Sequence, residues 1–459
     1  MKSTLFTVKK HACRACVLAA ATFALSACAH TVEPGTPLPD DRAGHNWVGV
    51  WGAAPAGPPF PAAMQTFTDQ TLRLIVHTSI GGNQVRIRLS NERGATPLKI
   101  GAVHVALRGA GADTVAGSDR ALTFGGFSSI TIPAGAPALS DPVALSVPAL
   151  SDLAVSLHLP GEVQASTIHN NGYQTNYVSM PGNFTGAAAF PTQRNIFSWP
   201  FLTEVVVQAY GSAVVVLGDS ITDGALTARD ANKRWPDLLA LRLQTRREVP
   251  AQRTDRLVRA DTPVGIVNRG IGGNRLLRGP ATNPLAGASA VARFDRDVLA
   301  TAGVRHVIVL LGMNDIGAPG TAGTLDDQAV MVDEMIAGYR QLIARAHAKG
   351  LAIYGGTITP FEGAANPGFY TLRKELVRQA VNHWIRSSQE FDAVIDFDRA
   401  VRDPSHPSRI LPALDSGDHV HPNDEGMQAM ANAISLDLFR TAPLVRRLLP
   451  GRSYIADSK

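Results

Sequence analysis

The sequence predicts an all-β domain, a sandwich or jelly roll, over residues 46–208, followed by a three-layer α/β domain with a parallel five-stranded sheet over 211–445. Three observations predict it. Before residue 208, apolar residues alternate with polar ones and short runs are broken by glycine and proline, the pattern of antiparallel strands. After residue 210, continuous apolar runs alternate with helical stretches, as in a sheet covered on both faces. The 459 residues are enough for two or three cores.

The N-terminus belongs to neither domain. Residues 1–27 carry Lys2, Lys9, Lys10 and Arg14 without an acidic residue, then a short apolar run from Ala15 to Leu25. That run suits a signal peptide and falls short of the roughly 20 apolar residues of a membrane-spanning helix. It ends in Leu25-Ser26-Ala27-Cys28, which resembles the lipobox of bacterial lipoproteins, in which the cysteine becomes the lipidated first residue. The resemblance implies an exported protein anchored through Cys28 in the cell envelope, at the outer membrane or in the periplasm; ordinary secretion is the alternative. Residues 28–45, with three prolines, read as the lipidated cysteine and an extended tether.

This segment also accounts for the composition. The chain has 3 cysteines, and all lie within it, so a disulfide scaffold is excluded. Cys13-Ala-Arg-Cys16 has CxxC spacing but falls in a leader expected to be removed. The leader carries four of the positive charges, so the formal net charge of +5 becomes 5 − 4 = +1 without it. That gives no support for a nucleic-acid partner.

In the β region, Leu72, Leu74 and Val76 predict one strand face, and Val85, Ile87 and Leu89 another. Gly81-Gly82-Asn83 between them suggests a hairpin. Arg86 and Arg88 then fall on a solvated face. Leu153, Val155, Leu157 and Leu159 mark a third strand. Trp47, Trp51 and Phe67 read as core side chains. Their use as a glycan platform, with a hydrolase attached to a binding module, is the alternative.

In the α/β region the apolar runs are 213–217, 264–267, 306–311, 352–354 and 393–395, and helices are predicted at 330–349, 371–387 and 424–439. Residues 446–459 read as a tail.

Catalytic groups in such a sheet collect at the carboxyl ends of the strands. The first run leads into Gly218-Asp219-Ser220-Ile221-Thr222, the second into Asn268-Arg269-Gly270-Ile271-Gly272-Gly273-Asn274, and the third into Gly312-Met313-Asn314-Asp315. Asp418-His419-Val420-His421 precedes the last helix. Together these hold what an acyl-transfer site needs. Ser220 is a nucleophile once a base takes its proton. His421 titrates near neutrality and can be that base. Asp418, three residues earlier, can orient the imidazole and stabilise its cation. The backbone N–H groups of Ser220 and Gly273 and the amide of Asn314 are candidate oxyanion donors. Gly270 or Gly272 could replace Gly273, and His419 could compete with His421 as base or form an HxH metal site, although no third ligand is evident. Asp219, Asp223 and Asp315 read as structural.

The four blocks resemble those of the SGNH hydrolases, the GDSL esterase/lipase family. Ser220, Gly273, Asn314 and His421 match the four residues that name it, and Asp418 matches the acid of its DxxH block. The first block reads GDSIT where the family has GDSL. The resemblance covers roughly 211–440. It implies a flavodoxin-like fold and a serine esterase that needs no metal or cofactor, acting on acetyl, aryl or short acyl esters of small molecules or polysaccharide. An acyltransferase using the same acyl-enzyme is the alternative. More loosely, Trp51-Gly-Ala-Ala-Pro55 and the strands around it resemble the β-sandwich that precedes the hydrolase in one bacterial subfamily. Rival motifs are missing: there is no GxSxG elbow, no phosphate loop and no HExxH. Arg275 stands where a dinucleotide fingerprint needs its third glycine.

Overall fold

The computed structural model describes residues 46–60, 64–248, 262–279, 283–321 and 329–440. The leader, Cys28, the tether and the tail lie outside the described residues.

The apolar runs of the second half form a parallel sheet because their valines and isoleucines are shielded on both faces. Its strands are β1 (Ser212–Gly218), β2 (Val264–Gly270), β3 (Val304–Leu310), β4 (Ala352–Gly356) and β5 (Ala393–Ile395), in the order β2-β1-β3-β4-β5. This is the doubly wound, flavodoxin-like order. Ala213 through Leu217 are wholly buried. The register sets Gly218 beside Gly270 on one side and Leu310 on the other. The three segments that leave these strands therefore start at one edge.

Two groups of helices cover the sheet. In one, α2 (Trp235–Glu248) packs on α8 (Asp424–Asn432), which meets α7 (Phe397–Val401). In the other, α3 (Ala290–Phe294) packs on α5 (Val332–Ala348), and α5 on α6 (Leu372–Ser387). The helix predicted to run to residue 439 stops at Asn432, and a separate 3₁₀ turn spans Leu436–Phe439. Arg242 takes the carbonyls of Ala431 and Ile434, and the Ser435 hydroxyl caps the new turn by accepting from Asp437 N–H. These local partners replace the continuing helical ladder.

The first half forms two main antiparallel sheets. One holds Asn46–Gly52, Leu202–Ala209, Gly82–Ser90 and Pro137–Leu139 in that order, with Val143–Val147 also on Gly82–Ser90. The other runs Thr192–Ile196, Asn176–Pro181, Thr66–His77, Asp152–Gln164, Ala102–Leu107 and Arg120–Leu122. Apolar side chains of both fill a core that includes Leu72, Leu74, Val85, Ile87, Val155 and Leu157.

The hairpin expectation needs correction. The glycines at 81–82 do not close a hairpin: Thr66–His77 and Gly82–Ser90 lie in different sheets, so this segment crosses between them. Ser79 on the crossing is tied to Val50 O and the backbone of Ile266, contacts that replace hairpin pairing. Leu72, Leu74 and Val76 share a buried face as expected, and the other face of Thr66–His77, with Thr71, Arg73 and Ile75, is buried as well. Loops cover the second face, and Arg73 donates to the carbonyls of Ala112, Thr185 and Ala187. Arg86 and Arg88 are half-buried; Arg86 lies 4.3 Å from the Trp47 ring centre and Arg88 pairs with Glu204 at 3.1 Å. Trp51 and Phe67 are core residues.

The N-terminal antiparallel sheets (the β-domain of the sequence reading) cover the outer edge of β2. Ile266 N–H donates to the Ser79 hydroxyl at 2.8 Å, and Gly49 N–H to Ala302 O at 2.9 Å. Buried Glu204 faces Arg269 of β2 at 3.5 Å. An edge strand that would otherwise offer open backbone groups is thereby closed.

Candidate active site

Ser220 opens α1 (Ser220–Asp223), one turn of helix directly after β1. The Asp219 carboxylate caps this turn by accepting from Ile221 N–H at 3.0 Å. Burial pushes Asp219 up to about 7 against the opposing pull of that bond and of His421. The turn sits tightly on β2: a Cβ at Gly270 would lie 2.3 Å from the backbone nitrogen of Asp223. Gly270 is therefore needed for packing and does not line the cavity.

Asp418 and His421 lie on the loop before α8. The His421 Nδ1 is 2.5 Å from Asp418 Oδ2, and its Nε2 is 2.8 Å from Ser220 Oγ. The other Asp418 oxygen accepts from the N–H groups of Val420 and His421, at 3.0 and 2.9 Å. Partial burial works against the Asp418 charge, but His421 and these N–H groups outweigh it and hold the carboxyl well below its ordinary range. His419 turns elsewhere: it is exposed, and its Nδ1 contacts Asp415 at 2.5 Å. It neither competes for Ser220 nor joins His421 around a common point. Among the described residues, no three His, Cys, Asp or Glu side chains gather as a metal site, and no helix is long and apolar enough to cross a membrane.

Ser220, Gly272, Gly273, Asn314, Asp418 and His421 line one cavity of about 550 Å³. Gly273 has φ +74°, a conformation that favours glycine and brings its backbone to the cavity wall. Asn314, on α4 (Met313–Gly317), donates one amide hydrogen to Asn274 O at 3.1 Å. The amide's second hydrogen remains for a ligand.

Of the supporting residues, Arg293, Asp297 and His169 had no sequence signal, whereas Asp315 and Asp223 stood out only as structural carboxylates. Arg293 is fully buried and donates to Gly218 O, Arg269 O and Asn274 Oδ1, tying the ends of β1 and β2 to the glycine loop. Asp297 pairs with it at 2.8 Å and is held well below the carboxylate range; burial opposes this, and Arg296, Arg293 and Arg269 overcome it. Asp315 accepts from Leu276 and Leu277 N–H at 2.7 and 3.0 Å, and burial pushes it up to about 6. Asp223 pairs with buried His169 of the β-domain at 2.9 Å.

With this geometry in hand, comparison with known proteins is decisive on one point. Residues 214–434 match the model of the GDSL-like Lipase/Acylhydrolase family.

The chain carries a GDSL-type hydrolase domain.

It is a carboxylic ester hydrolase. Solved structures similar to the GDSL domain include a GDSL-like lipase from Bacteroides thetaiotaomicron, at 19% identity over 48% of this chain and 85% of that one, TM-score 0.32. A variant of an acetyl xylan esterase from Geobacillus stearothermophilus is 21% identical over 49% of this chain and 93% of that one, TM-score 0.34. An α/β hydrolase from the metagenome of Lake Arreo, Spain, has the same identity, shares and TM-score. A search among curated proteins found no match. The GDSL match begins within β1 and leaves the antiparallel sheets outside it.

Proposed function

We propose that this chain is an exported serine esterase that hydrolyses its substrate through an acyl-enzyme on Ser220. One observation carries the reading: an unbroken Asp418–His421–Ser220 hydrogen-bond chain, with links of 2.5 and 2.8 Å, that ends in a cavity. His421 Nε2 takes the Ser220 proton as Oγ attacks the ester carbonyl carbon. The Ser220 and Gly273 N–H groups and the Asn314 amide stabilise the oxyanion that forms. Collapse breaks the bond to the alcohol, which leaves with the proton from His421. Water then attacks the acyl-enzyme with His421 again as base, and the acid departs. Asp418 keeps the Nδ1 proton in place and balances the imidazolium.

The domain division 46–208 and 211–445 and the lipid anchor at Cys28 belong to the same proposal. They place the hydrolase on a tether at the envelope, as the Leu25–Cys28 motif suggests. Replacing Ser220 by alanine tests the chemistry. It should abolish release of free acetate from p-nitrophenyl acetate while the thermal unfolding curve stays unchanged. Near-normal turnover would refute the assignment. Transfer of acetyl to an added alcohol instead of water would make the protein an acyltransferase. Loss of palmitate labelling in Cys28→Ser tests the anchor, and an unlabelled native chain would refute it.

A further inference from the structure

The active-site cavity has a wall that does not come from the GDSL domain. Asn170, Asn171 and Tyr173 of the β-domain line it, beside Ala225 and Leu226 from the segment after α1; the Tyr173 hydroxyl also meets the Leu226 backbone. This segment, residues 168–175, is fastened to residues 223–234 along its length. His169 Nε2 meets Asp223 at 2.9 Å, and its Nδ1 meets Ala54 O at 3.0 Å. A ring held between a carboxylate and a carbonyl donates from both nitrogens and so carries a charge. Burial opposes that charge, but Asp223 and the Ala54 carbonyl prevail and raise the His169 pKa. Arg234 donates to the carbonyls of Gly172 and Asp223. Asp230 accepts from Gln174 Nε2 at 2.6 Å, Thr175 N–H at 2.5 Å and Thr175 Oγ1 at 2.6 Å, while its own N–H donates to Tyr173 O at 3.0 Å. Arg229 lies 3.6 Å from the Phe197 ring centre.

The two facing segments are also strained. Among the described residues, ten non-glycine residues have positive φ, and five of them are here: Asn171, Tyr173, Leu226, Asp230 and Asn232. Such conformations persist where surrounding contacts over-determine them, and they concentrate at ligand-binding sites. Three of the five line the cavity.

The wall has a definite chemistry. Asn170, Asn171, Asn283 and Asn366 place four carboxamides around the cavity, beside Tyr173 and the apolar Leu226, Leu285 and Phe369. The charged side chains among the described lining residues are Asp223, paired with His169, and the Asp418–His421 couple. Among the described residues, no lining Lys or Arg is offered to a phosphate or carboxylate. Carboxamides both donate and accept, which suits hydroxyl groups. A simple acyl chain has no hydrogen-bonding group beyond its carbonyl, and the oxyanion donors take that.

We propose that the β-domain wall Asn170, Asn171 and Tyr173 determines specificity by recognising the alcohol half of the ester, a neutral group bearing several hydroxyls. This rests on the esterase reading above. The β-domain then acts as part of the hydrolase site.

The test uses the full chain and two acetates with different alcohols, p-nitrophenyl acetate and a methyl glucoside acetylated at its primary hydroxyl. The double variant Asn170→Ala/Asn171→Gly removes both carboxamides and leaves the positive φ at 171 relaxed. The ratio of kcat/KM for the sugar ester to that for the aryl ester should fall about tenfold, since lost hydroxyl partners penalise only the sugar. Tyr173→Phe is the second variant and should shift the ratio in the same direction. An unchanged ratio in both variants, including an equal loss on both esters, would overturn the proposal and leave a structural role. A native enzyme that cleaves the aryl ester through Ser220 but not the sugar ester would overturn this proposal alone. A native enzyme that cleaves neither would overturn the esterase reading and this inference with it.

Discussion

Replacing Asp418 by asparagine separates the orienting role of this residue from its place in the fold. The Asp418 oxygen that accepts from the Ser416 hydroxyl and from Val420 and His421 N–H has a counterpart in the asparagine carbonyl, so the turn keeps its hydrogen bonds. The other oxygen, 2.5 Å from His421 Nδ1, becomes an NH₂ donor. Nδ1 must then accept, and the ring proton moves to Nε2, 2.8 Å from Ser220 Oγ. A protonated Nε2 cannot take the serine proton. In a fully buried triad such a change costs about 10⁴ in kcat. The Asp418 side chain here is 30% exposed, so solvent screens part of its stabilisation of the imidazolium. The expected loss is about 10³ in kcat, or about 4 kcal/mol in the barrier, with KM little changed. Steady-state hydrolysis of p-nitrophenyl acetate near pH 7.5, alongside thermal unfolding, measures it. A variant that keeps more than about a tenth of native kcat would refute the tautomer argument.

Other substitutions probe the remaining parts. Asn314→Ala removes an oxyanion donor and should lower kcat by about 10²–10³ with a small effect on KM, read in the same assay. Gly270→Ala forces a Cβ to within 2.3 Å of the Asp223 backbone, so it should cost about 1–3 kcal/mol, visible as a lower Tm, and reduce activity by displacing α1. Asp219 is raised to about 7, so the folded chain holds this proton from about pH 4 to 7 while the unfolded chain has lost it. Its contribution to stability therefore declines as pH rises through that window. Asp219→Asn should gain Tm relative to the native chain from pH 4.5 to 7.5; parallel Tm profiles would contradict this.

The position of the candidate catalytic residues is set by local pattern. Ser220, Gly273 and Asn314 each stand a few residues beyond an apolar run, and a parallel register brings the ends of those runs together. Asp418 and His421 are three apart, so their pairing is a property of one loop. The contacts that hold this group have no such signature. His169 and Asp223 are 54 residues apart, and Arg293 reaches Gly218 across 75. An isolated histidine or arginine carries no periodicity that would reveal its partner. The glycine pair at 81–82 shows the opposite failure. A glycine-rich turn permits a hairpin or a crossing between sheets, and the pattern of local residues is the same for both.

By itself, the sequence determined the succession of antiparallel and parallel strands, the residues that stand at the strand ends, and the presence of a serine, a histidine and an aspartate suited to act together. These are short-range properties, set by side-chain period and by the residues at the carboxyl end of each apolar run. Tertiary structure decided which sheet each β strand joins, how far the last helix extends, and that residues 170–173 of the β-domain reach the GDSL cavity. Those outcomes depend on which distant groups satisfy buried donors and charges. A polar group removed from water must find a partner wherever the fold supplies one, and linear order does not record where that is.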